Sequence, residues 1–127
     1  MRYTFSTEWT ETAREIAKQL RFDHIELDRI ACVRSQGSKT RNVIARVHTM
    51  GKVLQLGMNQ KPCYVIELLS ERFEKQDREQ QIKTLIHELL HIPHSFGGGF
   101  RHHKPYVNIR AVEEEFKKLS AAQLGLL

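Results

Sequence analysis

The chain has 127 residues, 40% of them apolar and 28% charged, with a formal net charge of +5. That is the size and balance of one globular domain with one core. No apolar run reaches membrane-spanning length, and the opening "MRYTFSTEWTETAREIAKQL" turns polar too soon for a secretory leader, so a cytoplasmic, reducing setting is expected. Cys32 and Cys63 are the two cysteines. Without a CxxC pair or more thiols they exclude a zinc ribbon and a disulfide framework, and read as buried thiols.

Trp9, Ala13, Ile16, Ala17 and Leu20 recur at helical spacing, so residues 7–21 are predicted to form an amphipathic helix capped by Ser6 or Thr7. β-rich runs follow at "RIACV" (29–33), "NVIARVH" (42–48) and "CYVIEL" (63–68), with "KVLQL" (52–56) as the candidate fourth strand. "RSQGSKTR" (34–41) reads as a polar connection, and Pro62 as the opening of the third strand or of the loop before it. From Arg29 to Lys61 there are seven basic residues (Arg29, Arg34, Lys39, Arg41, Arg46, Lys52 and Lys61) and no acidic one. Such a span attracts phosphates, although an ordinary solvated basic face has the same composition.

The period then changes. "QDREQQIKTLIHELLHI" is predicted to be a helix capped by Asp77 and stopped by Pro93, because proline lacks the amide donor and disfavours helical geometry in the residue before it. A last helix is expected from about Lys104 to Leu119, with Pro105 in its first turn and Ile109, Val112, Phe116 and Leu119 as its buried stripe. The expected fold class is α+β: an N-terminal helix, a small sheet of three or four strands, then two helices packed on that sheet, all in one domain over 1–127.

Five of the seven histidines lie in "LIHELLHIPHSFGGGFRHHKPYV", residues 85–107. His87 and His91 are four apart, so on a helix they point the same way and can share a metal ion. At about 100° per residue, Ile82, Leu85, Ile86 and Leu89 cluster on one face and the two histidines lie nearly opposite, outside the core. Glu88, one step around, is placed to take a proton from a metal-bound water. Catalytic zinc usually takes three protein ligands. The run Gly97-Gly98-Gly99 permits a sharp reversal that can bring His102 or His103 back towards the pair. His94 follows Pro93, outside the helix, and reads as a supporting or surface residue; His24 and His48 read as ordinary polar residues.

"HELLHIPHSFGGGFRHHKPYV" resembles the active-site segment of archaeal and phage metallopeptidases, a group of HExxH zincins near the SprT-like proteases. "CVRSQGSKTRNVIARV" resembles that family's basic strand-loop-strand, and "YVIELLSERFEK" the segment leading into its active-site helix. The likeness covers roughly residues 29–112, and its most specific elements are HELLHIP and GGxRxH. It implies a minimal zincin-like domain binding Zn2+ through His87, His91 and His103, with Glu88 as general base. His103-Lys104-Pro105 resembles the His-x-Pro of the SprT-like third ligand, whereas the adjacent His102 departs from the pattern and keeps a second candidate open. The zinc ribbon that some SprT-like proteins append is absent from this sequence.

The expected function is therefore zinc-dependent hydrolysis of peptide bonds, on a protein or peptide substrate and near nucleic acid through the basic span 29–61. Arg101, Tyr106 or the other histidine of the 102/103 pair are candidates to stabilise the oxyanion. "CYVIEL" is the candidate edge on which an extended substrate pairs, although it can equally be central. Two other readings share these residues. A zinc endoribonuclease of the YbeY type would hold RNA on the basic segment, but that family's motif lacks the glutamate of HExxH. A non-catalytic nucleic-acid-binding module would have no use for Glu88 beside a metal.

Overall fold

In the computed structural model, which describes residues 1–119, the local signals at helix starts operate as expected. Ser6 is extended and its hydroxyl accepts from the Trp9 amide at 3.1 Å, which starts α1 (Thr7–Gln19). Asp77 accepts from the Gln80 amide at 2.9 Å and starts α4 (Arg78–Leu90). Helix α4 stops before Pro93, with His91 as its C-terminal cap. Ile82, Leu85, Ile86 and Leu89 are all fully buried, as their spacing predicts.

The strands β1 (Arg2–Phe5), β2 (Ile30–Gln36), β3 (Ala45–Thr49) and β4 (Tyr64–Leu69) form one mixed sheet in the order β1-β2-β4-β3. β2 and β4 run parallel at its centre; β1 and β3 lie antiparallel on the two edges. Ile30, Cys32, Tyr64, Ile66 and Leu68 point to one face and form the core with α1 and α4. The short α3 (Ser70–Phe73) drops Phe73 edge-on against Trp9, centroids 4.9 Å apart. The opposite sheet face stays open, with Tyr3 and Phe5 exposed on it. The architecture is the expected small α+β domain.

Four expectations are corrected. "KVLQL" is helix α2 (Lys52–Gly57), not a strand. Leucine, glutamine and lysine are good helix formers and the run lacks alternation; Gln55 also bonds to the Met50 and Gly97 carbonyls, tying the helix down. The fourth strand is β1, whose "RYTF" was not read as a strand. "CYVIEL" is central, so the exposed edge beside α4 is β3 instead. The last helix is broken into α5 (His103–Tyr106) and α6 (Ile109–Phe116). Lys104 precedes a proline and is extended (φ −107°, ψ 124°), as the proline ring requires. Asn108 then caps α6 by accepting from the Ala111 amide. The new register buries Val112 and packs Phe116 and Leu119 on the core, but leaves Ile109 82% exposed.

Candidate metal centre and active-site cleft

His87 and His91 project from the polar side of α4 with ring centroids 5.1 Å apart. The chain leaves the helix at Pro93, turns through the glycine run and returns His103 to them, at 5.4 Å from His87 and 4.6 Å from His91. One ring nitrogen from each of the three lies within 4.8 Å of the others, so the trio can hold a metal ion. His102, the N-cap of α5, is exposed and outside this group.

The return is fixed by specific contacts. Gly98 has φ +105°, and a Cβ there would meet Gln55 Nε2 at 2.6 Å and the Met50 carbonyl at 2.8 Å, so glycine is needed for both conformation and space. The buried Tyr64 hydroxyl accepts from the Gly98 amide and donates to the Gly99 carbonyl, both at 2.9 Å. Beyond the loop, the Arg101 amide donates to the His91 carbonyl at 2.7 Å. The Arg101 carbonyl in turn lies 2.8 Å from His91 Nδ1. A carbonyl only accepts, so Nδ1 carries the proton and Nε2 is left with its lone pair free.

Electrostatics match that geometry. Burial, then the neighbouring His91 and His103, push the His87 imidazole down to about 4. Burial, with His103 adding to it, also lowers His91 against the opposing pull of the Arg101 carbonyl. Both rings are therefore neutral at pH 7, the form that ligates metal. Glu88 is 6% exposed, and burial alone lifts its carboxyl to about 7. His87 Nε2 stands 3.9 Å from its carboxylate. Three imidazoles converging beside a buried acid are a donor set suited to zinc and similar borderline metals.

The cleft holding this group measures about 350 Å³ and runs along the edge strand, bordered by Ala45, Arg46 and Val47 on one side and by Phe100, Arg101 and His102 on the other. Of the candidate oxyanion partners, His102 and Arg101 border it. The Arg101 guanidinium, however, stacks over the Tyr106 ring at 4.3 Å and reaches towards His94. Tyr106 lines a neighbouring cavity with His24 and His94, whose rings are 4.4 Å apart.

Sequence reasoning missed a second polar cluster on the open sheet face. Glu67 of β4 is 1% exposed and accepts from Ser35 at 2.6 Å and from Arg46 at 2.9 and 3.2 Å, with His48 Nε2 at 2.8 Å. Burial would raise its carboxyl, but these hydrogen bonds and the Arg46 charge outweigh it and hold the group at about 2. An acidic residue inside "CYVIEL", opposite the basic runs of β2 and β3, was the available signal. The basic span is likewise partly consumed internally. Arg29 bonds to the Lys61 and Pro62 carbonyls, Arg34 lies beside Glu8 and Glu74, and Arg46 pairs with Glu67.

A family model described as "Putative phage metallopeptidase" matches residues 1–122. It reaches well beyond the 29–112 span of the sequence resemblance and takes in the first helix. No curated protein and no solved structure matches the chain. No helix among the described residues is long and apolar enough to cross a membrane.

Proposed function

Because the chain belongs to the phage metallopeptidase family, we propose that it is a zinc peptidase with His87, His91 and His103 as ligands and Glu88 as general base. The observation that carries this reading is the convergence of three ring nitrogens within 4.8 Å, next to a carboxyl that burial has lifted to about 7. When bound, zinc would supply Lewis-acid polarisation of the scissile carbonyl and lower the pKa of water. The rest falls to the chain's own side chains. An acid poised near neutrality can take a proton at Oε from the attacking water and return it to the leaving amine. The Arg101 carbonyl holds the His91 ring in one tautomer and orientation. The free edge of β3 lies along the cleft and offers unpaired backbone groups to an extended substrate. His102 borders the cleft and is the favoured oxyanion partner, since the Arg101 guanidinium is stacked on Tyr106.

Cys32 and Cys63 are free thiols, which supports a reducing, cytoplasmic setting. Any contact with nucleic acid would rest on Lys39, Arg41, Lys52 and Lys61, since among the described residues Arg29 is bonded to backbone carbonyls and Arg34 and Arg46 are paired with glutamates. The experiment is to offer the zinc-loaded chain a set of unfolded proteins and a set of structured and single-stranded RNAs. Cleavage of protein and not RNA supports the peptidase. Metal-dependent RNA cleavage with intact protein would transfer the site to the endoribonuclease reading.

A further inference from the structure

A second cavity opens directly beside the histidine cluster. It measures about 580 Å³ and lies between the stretch entering β3 and helices α4 and α6. His87 and Glu88 are part of its wall as well as of the metal cleft, so the two spaces share a boundary at the reacting groups. Val43, Ile44 and Ala45 line one side, and Ile109 and Val112 face them from α6.

Ile109 is the informative residue. A lone exposed isoleucine needs no explanation. This one is 82% exposed, on a helix whose Val112 and Phe116 do reach the core, and it stands at the rim of a cavity lined by other aliphatic side chains. The one lysine of the lining is already neutralised. Lys83, with 14% of its side chain exposed, has its ammonium 2.8 Å from Glu113, 3.2 Å from Glu79 and 4.9 Å from the Phe116 ring centre. It therefore offers no free positive charge to a substrate carboxylate, which would instead meet Glu113. Binding cavities of this size, apolar with a few fixed polar groups, suit an apolar ligand group.

We infer that this cavity receives a large apolar side chain of the substrate, adjacent to the bond that is cut, with Ile109 and Val43 as its specificity-determining contacts. The inference rests on reading the histidine cleft as a peptidase site. It narrows the substrate class to polypeptide with an exposed leucine, methionine or aromatic residue, as in an unfolded chain.

The test has two arms, so that the cavity and the peptidase reading fail separately. In the first, isotope-labelled, metal-free protein is titrated with N-acetyl-leucine amide, N-acetyl-phenylalanine amide and N-acetyl-aspartate amide, and backbone signals are followed by NMR. The apolar amides should move Val43, Thr84 and Ile109 with affinity about 10-fold above the aspartate amide, a modest pocket discrimination. Ile109→Asp, at an exposed position that the fold does not depend on, should abolish that difference. Equal affinity for acidic and apolar amides, or no movement at these residues, would overturn the cavity. In the second arm, the zinc-loaded chain digests unfolded protein and the cut sites are mapped. Apolar side chains enriched about 10-fold on one side of the cut, and lost in Ile109→Asp, support the inference. Cutting without side-chain preference would overturn it and leave the peptidase standing. Apolar binding without any cutting would keep the cavity and remove the peptidase.

Discussion

Two buried glutamates, Glu67 on β4 and Glu88 on α4, divide the molecule into opposite electrostatic regimes. Both lie within 4 Å of a histidine nitrogen and both are less than a tenth exposed. Glu67 is surrounded by donors from the two neighbouring strands, Ser35 of β2 and Arg46 and His48 of β3, and is held ionised at about 2. Glu88 has burial with no compensating donor acting on it and is pushed to about 7. The first arrangement spends a charge on fixing strand register; the second keeps an acid at an energetic cost, and such groups concentrate where chemistry is done. The contrast separates a carboxylate held ionised by its neighbours from one that burial poises near neutrality, without reference to the family.

The largest effect that would sharpen this contrast is on turnover. Glu88→Gln should lower peptidase activity by about 10²–10⁴-fold, the usual worth of a general base, while metal content stays at the wild-type level. Retention of activity would place the proton transfer elsewhere.

On stability the two sites should behave oppositely. Glu67 has a folded value near 2 against an ordinary 4.5. Its contribution is therefore full above about pH 4.5 and is lost as pH falls towards 2. Glu67→Gln should cost roughly 3 kcal/mol at neutral pH by denaturant unfolding, and the gap from wild type should close on acidification. A pH-independent gap would mean packing rather than charge.

Glu88 has the reverse sign, from 4.5 up to about 7. Its cost is absent below pH 4.5 and full above 7. In metal-free protein at pH 8, Glu88→Gln should stabilise by on the order of 1 kcal/mol, since the buried amide still has a desolvation cost of its own. Destabilisation there would show that Glu88 is compensated after all. The smallest effect should come from His48→Gln. More than half of that side chain is exposed, so its removal should cost less than about 1 kcal/mol, with Arg46 and Ser35 keeping Glu67 ionised.

These two sites also show what a sequence can carry. The Glu88 region was legible because its geometry is local. Ile82, Leu85, Ile86 and Leu89 declare the buried face of one helix, and His87 and His91 must then share the other. Asp77 and Pro93 mark the ends of that helix in the same local way. The Glu67 cluster is assembled from residues up to 32 positions apart, across a parallel β2–β4 pairing that no short window contains. The same reason hid the place of β4 at the centre of the sheet and of β3 at its edge, since strand order is decided by crossovers and not by strand composition. β1 was missed because four residues against one edge make a weak pattern. The break at Val107 and Asn108 was missed because the helical stripe of 109–119 outweighed the local effect of Pro105 on Lys104 and the capping preference of Asn108. His103 as the returning histidine was named by resemblance; spacing left His102 equally open.

The central claim is a metal held by His87, His91 and His103, and its most direct measurement is zinc per chain, made on untagged protein and on two single variants. The account predicts about one zinc in the wild-type chain, its loss in His103→Ala and its retention in His102→Ala. No zinc in the wild-type chain and no uptake when zinc is supplied would contradict the account, as would loss in His102→Ala with retention in His103→Ala.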